Sequence, residues 1–262
     1  IGVDYEGRGL SITDGKTVAV ENATLTDNGG WNLRLETETV RGQTVEVTGS
    51  SAVGNEAGAS ISLAGSEGTD TMTVENTTAE DATRSGMDIV GDAVTVIDCE
   101  VRDCGPAVAG IDITGSTDGD VTVTGATVER TVRDAGIGVD YEGRGLSITD
   151  GKTVTVENAT LTGNGGWNLR IDAEDVRGRT VEVVGVEADG NDAGSGISIP
   201  GTEGTDGHTV RDTTATNHTL YGYSLGGESV TIENSSASNN GEGSLELLDI
   251  ERSEATITGS DL

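Results

Sequence analysis

Phenylalanine is absent from the 262 residues, and proline, cysteine and tryptophan occur twice each. Aromatic residues make up 2% of the chain and apolar residues 33%. A thick globular core built on large side chains is thereby excluded. No run approaches the roughly 18 apolar residues that a membrane-spanning helix needs. Histidine occurs only at His208 and His218, so a histidine-based metal site is not expected. The two cysteines, Cys99 and Cys104, are too few for a structural zinc site, which takes four ligands. Either they bridge across one turn or they are free. Lysine is confined to Lys16 and Lys152, against 13 arginines.

Acidic residues are abundant. Forty-six Asp and Glu give a net charge of −31. Such a surface repels nucleic acid and anionic lipid, so neither is expected as a partner. Few Lys, many carboxylates and small core residues resemble proteins of halophilic archaea. In molar salt, repulsion is screened over about 3 Å.

The strongest signal is repetition. Residues 1–18 and 137–154 are identical. Beneath this 136-residue duplication lies a shorter unit, anchored at Val20, Val47, Val74, Val96, Val123, Val156, Val183, Val210, Ile232 and Ile257. A period of about 20–50 residues marks a solenoid. Apolar residues two before and five after each anchor alternate with Thr and Glu, the period of a strand. Two residues after each anchor stands Asn, Gly or Asp, residue types that tolerate left-handed backbone. A polar column eight residues on, Asn28, Asn55, Asn164, Asn191 and Asn240, is suited to hydrogen bonds from coil to coil. In the column three after the anchor, Cys99 joins Ala23, Ser50, Thr77, Ala126 and Ala159, which points to a structural thiol.

A second strand is expected around Leu33/Leu35, Ile61/Leu63, Met87/Ile89, Ile111/Ile113, Ile137/Val139, Leu169/Ile171, Ile197/Ile199 and Tyr223/Leu225. A third short one is expected at Leu10–Thr13 and Leu146–Thr149. The fold class is all-β, a solenoid of about ten coils of 22–33 residues forming one domain over 1–262, with tandem halves 1–136 and 137–262. Residue 1 is Ile and lies inside a repeat unit, so a piece of a longer protein is expected. Strand edges bare of any recognisable cap suggest end-to-end self-association.

The segments VENATLTDNGGWNLRL (Val20 to Leu35) and VENATLTGNGGWNLRI (Val156 to Ile171) resemble the right-handed parallel β-helix repeats of the pectin-lyase-like superfamily. The resemblance covers essentially the whole chain. It implies the fold but no single activity, because that superfamily includes polysaccharide-active enzymes, adhesins and tailspikes. The polygalacturonase-type Asn-Thr-Asp, Asp-Asp, Gly-His-Gly and Arg-Ile-Lys motifs are missing, as is the calcium-binding nonapeptide. The resemblance therefore transfers no catalytic residue.

Position suggests sites where motifs do not. The outward column of the second strand is expected to run Asp4, Arg34, Ser62, Asp88, Asp112, Asp140, Arg170, Ser198, Ser224. Asp4–Arg34 and Asp140–Arg170 would be cross-strand ion pairs. Asp88, Asp112 and Asp140 would stand in three successive coils, with Glu142 extending the cluster. Three readings are open: repulsion screened by salt, a calcium site, or a carboxylate pair acting on a sugar. Trp31 and Trp167 each precede Asn-Leu-Arg. They are either buried corners or sugar-stacking platforms beside Arg34 and Arg170. Sequons for glycosylation occur at Asn22, Asn76, Asn158, Asn217 and Asn234. Near-identical blocks and missing enzyme motifs favour a non-enzymatic extracellular or cell-surface protein, adhesive or structural, with polysaccharide as a partner. The alternative is a polysaccharide lyase or glycoside hydrolase using the Asp ladder.

Overall fold

The structure, a computed structural model, describes residues 7–36, 40–65, 70–105, 109–132, 143–172, 178–201, 207–248 and 254–262. Three parallel sheets run the length of a solenoid, and no helix occurs among the described residues. Sheet A has ten strands: Leu10–Thr13, Leu33–Glu36, Ile61–Ala64, Met87–Val90, Ala109–Thr114, Arg144–Thr149, Leu169–Asp172, Ile197–Ile199, Tyr221–Gly226 and Gly243–Leu248. Sheet B also has ten strands, from Thr17–Glu21 to Glu254–Thr258, and sheet C has nine, from Thr24–Asn28 to Ser236–Ser238. Each of the first nine coils passes through A, B and C in turn, and each strand pairs with its counterparts one coil away.

Alternation sets which side chains turn inward. In sheet B, Val45, Val47, Val74, Val96, Val123 and Val156 are at most 1% exposed, while the residues between them face solvent. Sheet A contributes Leu and Ile pairs, and sheet C a single Val, Ala or Leu per coil. These columns form one thin stacked core, the economy a chain without Phe requires. Among the described residues, Tyr223 is the one large aromatic inside it. Its hydroxyl bonds to Thr213 Oγ1 (2.9 Å) and to the Ser236 carbonyl (2.9 Å). His208 takes an inward position at 2% exposure.

The bend column is left-handed throughout. Asn22, Gly49, Asn76, Asp98, Gly125, Asn158, Gly185, Asp212, Asn234 and Gly259 all have φ between 48° and 66°. A single such residue turns the chain from sheet B into sheet C. Its side chain leans over the next coil, and that is why glycine so often follows asparagine in the column. A Cβ at Gly185 would lie 2.6 Å from Asn158 Oδ1. A second left-handed column, not anticipated from sequence, closes sheet C: Asp27, Gly54, Asp81, Asp103, Arg130, Gly163, Gly190, Asn217 and Asn239. The asparagine column beside it works as expected. Asn55 Oδ1 accepts from Thr83 N (2.8 Å), and Asn191 Oδ1 from Thr219 N (3.1 Å), each 28 residues on.

Three sequence expectations need correction. Leu10–Thr13 and Arg144–Thr149 are not extra strands; they are the sheet A strands of the first and sixth coils. The third strand of each coil is sheet C, whose one inward residue per coil had been attached to the sheet B strand. Ile137/Val139 and Leu146/Ile148 offer the same apolar spacing, and only packing chooses the latter. The disulfide does not form: Cys99 and Cys104 are both free and buried. They stand at corners on opposite ends of strand Glu100–Arg102, outside disulfide reach. Burial pushes their thiols up to about 11 and about 12, and both donate to backbone carbonyls.

Two measurements probe these corners. Gly185→Ala and Gly163→Ala both force alanine into left-handed backbone, costing about 1–2 kcal/mol each. A Cβ at Gly163 meets nothing within 4 Å, so chemical denaturation should show the greater loss for Gly185→Ala. Equal losses would remove the leaning-side-chain account. His218 is 3% exposed and replaces asparagine in the corner column. Burial, opposed by the Ala188 backbone and Asp189, lowers its pKa from 6.5 to about 4. Between those values the unfolded chain takes up a proton that the folded chain refuses, so stability falls as pH drops from about 6.5 to about 4. Melting curves of His218→Asn should lack this loss; an unchanged acid profile would assign it elsewhere.

Candidate functional site

The outer face of sheet A carries one column of polar side chains. In register it runs Ser11, Arg34, Ser62, Asp88, Asp112, Ser147, Arg170, Ser198, Ser224, Glu246. Asp88 and Asp112 are direct neighbours, as expected. The third position is Ser147, not Asp140, because the sixth coil enters sheet A through Arg144–Thr149. Asp140 and Glu142 lie outside the described residues. The ladder is thus a pair, and no group of three His, Cys, Asp or Glu suited to a metal occurs among the described residues. Neither Arg34 nor Arg170 faces an aspartate one coil away. Arg34 is flanked by Ser11 and Ser62 and pairs with Glu36 on its own strand. Arg170 pairs with Asp172 at 2.6 Å and donates to Ser198 Oγ at 2.8 Å.

The aspartates edge a depression of about 330 Å³, lined also by Trp31, Arg34, Ser62 and the exposed Arg84. Both carboxyls are half-buried. Burial raises the pKa of Asp88 against the opposing Arg84 charge. Asp112 is pushed up to about 6 by burial and by the Asp88 charge, opposed by a hydrogen bond from Ser147 and by Arg144. Two carboxyls about 4.8 Å apart along the sheet cannot both ionise without cost. Up to about pH 6 this pair holds a proton.

Each tryptophan is set over the neighbouring coil and ringed by arginine. The Arg34 guanidinium lies 3.9 Å from the Trp31 ring centre and that of Arg8 5.5 Å away. Arg170 and Arg144 stand at 4.6 and 5.2 Å from Trp167. Such contacts are cation–π in character. Beneath the rings lie Gly58 and Gly194, where any Cβ would come within 3 Å of the indole. Neither tryptophan joins the inner core; both sit at corners, Trp167 buried and Trp31 half-buried. Of the glycan candidates, Trp31 and Arg34 therefore meet the aspartate pair, whereas Trp167 and Arg170 form a second module five coils away. Sequence reasoning missed Arg8, Arg84 and Arg144. The signal was available for two of them: Arg8 and Arg144 stand three residues before Ser11 and Ser147 in the same segment, RGLSIT.

All five sequon asparagines are exposed and left-handed. Their place in the two corner columns accounts for the residue type without modification.

The model of the right-handed beta helix region matches residues 3–161. The chain belongs to that family. Parallel pairing throughout and three sheets per coil agree with membership in the right-handed β-helix family. Among solved structures, this β-helix is similar to the catalytic domain of a GH87 alpha-1,3-glucanase in complex with nigerose, at 13% identity and a TM-score of 0.38. The match covers 94% of this chain and 58% of that one, so the chain spans less than two thirds of its length. No curated protein matches.

The aspartate pair sets a pH dependence. With its folded pKa near 6 against 3.8 for a free group, Asp112 stabilises least once both states are ionised. Stability therefore falls as pH rises from about 4 to about 6. Asp112→Asn should flatten that slope and raise stability at pH 7 by about 1–3 kcal/mol, read by chemical denaturation. A loss of stability at pH 7 would instead indicate that the pair holds a cation.

Proposed function

We propose that this β-helix is a non-enzymatic, extracellular structural or adhesive protein of a halophile that binds glycan along the outer face of sheet A. The observation that carries the reading is the polar column. It offers hydroxyl, guanidinium and carboxylate groups at a fixed step of about 4.8 Å, comparable to one pyranose unit of an extended polysaccharide. Arg34, Arg84, Asp88 and Asp112 converge at one depression, where carboxylates accept from sugar hydroxyls and guanidinium groups donate. A rigid ladder holds these groups in place before a ligand arrives, which lowers the ordering cost of binding. The net charge of −31 fits a chain working in molar salt, where surface repulsion is screened.

One observation favours a second reading, a glycoside hydrolase or lyase. Asp88 and Asp112 are in register, and the Asp112 proton is held to about pH 6. Neighbouring carboxyls about 5 Å apart suit a retaining mechanism, one as acid and the other as nucleophile. This second reading assigns those two residues alone.

Calorimetric titration in molar KCl with neutral and acidic polysaccharides, and with calcium alone, separates the readings. Chain length is analysed in each mixture. Binding of intact chains, weakened about tenfold or more by Arg34→Ala and by Asp112→Asn, is the expected result. Shortened chains that disappear in Asp112→Asn would establish the enzyme. Absence of binding to every polysaccharide would end the glycan reading, and cooperative unfolding unchanged in dilute buffer would end the halophile assignment.

A further inference from the structure

The duplication sets the same motif on either side of the aspartates. Residues 7–32 and 143–168 differ only at Ala19/Thr155 and Asp27/Gly163. On the outer face of sheet A, Arg34 therefore stands between Ser11 and Ser62, and Arg170 between Ser147 and Ser198. Asp88 and Asp112 lie midway, each two steps from the nearer of these arginines. From Arg34 to Arg170 is five steps of about 4.8 Å, roughly 24 Å.

Charge changes sign along this stretch. Each end sets two guanidinium groups against one carboxylate. Arg8 and Arg34 share Glu36. Arg144 and Arg170 share Asp172, at 3.3 and 2.6 Å. The centre inverts the ratio, with Arg84 beside Asp88 and Asp112. Five of the 13 arginines thus gather on one face of a chain whose net charge is −31. Both ends are also built to hold their arginines. Arg34 covers the Trp31 ring, with Gly58 packed beneath, and Arg170 covers Trp167 above Gly194. The rings are occupied by guanidinium groups, so their part is to position them. The arginines still reach solvent, with side-chain exposures of 21% for Arg34 and 20% for Arg170. The bonds of Arg170 to Asp172 and Ser198 engage three of its five donors.

We propose that the two tryptophan–arginine modules are the ends of a single site, which takes a polysaccharide laid along sheet A with acidic units about five sugars apart and neutral units between them. The inference rests on the glycan reading above and adds a length and a charge pattern to it. One coil step is comparable to one pyranose unit, so about six consecutive units reach from Arg34 to Arg170. Carboxylates of the outer units meet the arginine forks. Hydroxyls of the inner units donate to Asp88 and Asp112. A chain acidic at every unit would bring like charges over the aspartates, and the site selects against it. Once one module is engaged the other is filled within the same complex, so the second acidic unit gains from effective concentration.

The test is calorimetric titration of the full chain in molar KCl with β-1,4-linked glucose oligomers. Hexamers are compared with both, one or neither terminal unit oxidised to uronate, and with every unit oxidised. A tetramer carries uronate at both ends. The hexamer with two terminal uronates should bind about tenfold or more tighter than the one-uronate hexamer, the fully oxidised hexamer and the tetramer. In Arg170→Ala, and equally in Arg34→Ala, the second uronate should add nothing while the melting transition is retained. Hexamers that bind alike whatever their charge, a tetramer or a fully oxidised hexamer that binds as tightly, or an advantage that survives Arg170→Ala would overturn the proposal and leave glycan binding standing. Absence of binding by every oligomer would overturn both.

Discussion

Everything in this molecule depends on one backbone constraint: a residue with φ near +50° must stand between sheet B and sheet C in every coil. That turn places each strand directly above its predecessor. Once coils are in step, parallel hydrogen bonds, stacked Val and Leu columns and the asparagine spine follow. The residue types at the turn follow too. Asn and Asp tolerate the conformation, and their side chains reach over the next coil, so a glycine there avoids a clash. Arg130 holds the same conformation without either advantage. It is held by a two-pronged contact to Asp103, both bonds at 2.7 Å, and by Glu129 at 2.8 Å.

The regular part of this design was legible in the sequence. Anchor spacing gave the coils, alternation gave the inward columns, and the Asn/Gly/Asp column gave the first corner. The second corner was missed although it was legible: eight of its nine described residues are Asp, Gly or Asn, as at the first corner, and only Arg130 breaks the preference. The candidate site was only half legible. Asp88 and Asp112 were placed together correctly, since each stands between two apolar residues, Met87 and Ile89 or Ile111 and Ile113, that mark its strand. Asp140 was not, because the junction carries additional residues and two segments with the same apolar spacing compete for one strand position. Packing against Ile111 and Ile113 decides in favour of Leu146 and Ile148. Of the arginines around the tryptophans, Arg34 and Arg170 were noticed, whereas Arg8 and Arg144 escaped for a different reason. Their approach to the rings runs through corners, where periodicity says nothing about direction.

Charge and stacking oppose one another on sheet A. Parallel register brings like residues together at every coil, which suits valine and penalises aspartate. The chain meets that conflict by alternating. Serine separates most charged positions, and Arg34 and Arg170 are neutralised along their own strands by Glu36 and Asp172. Asp88 and Asp112 are the exception, two acids left side by side where the surface is also concave. The arrangement costs stability and serves no packing purpose.

The near-identity of coils one and six has a consequence for how such a chain changes over generations. Recombination between the two halves would add or remove a whole block of five coils. Each new seam would reproduce the fifth-to-sixth contact already present, with the same residues meeting in the same register. Length is therefore free to vary in steps of about 24 Å without any surface having to be reinvented. Few folds allow a gene to be lengthened so cheaply, because in most of them one part of a domain has no reason to match another.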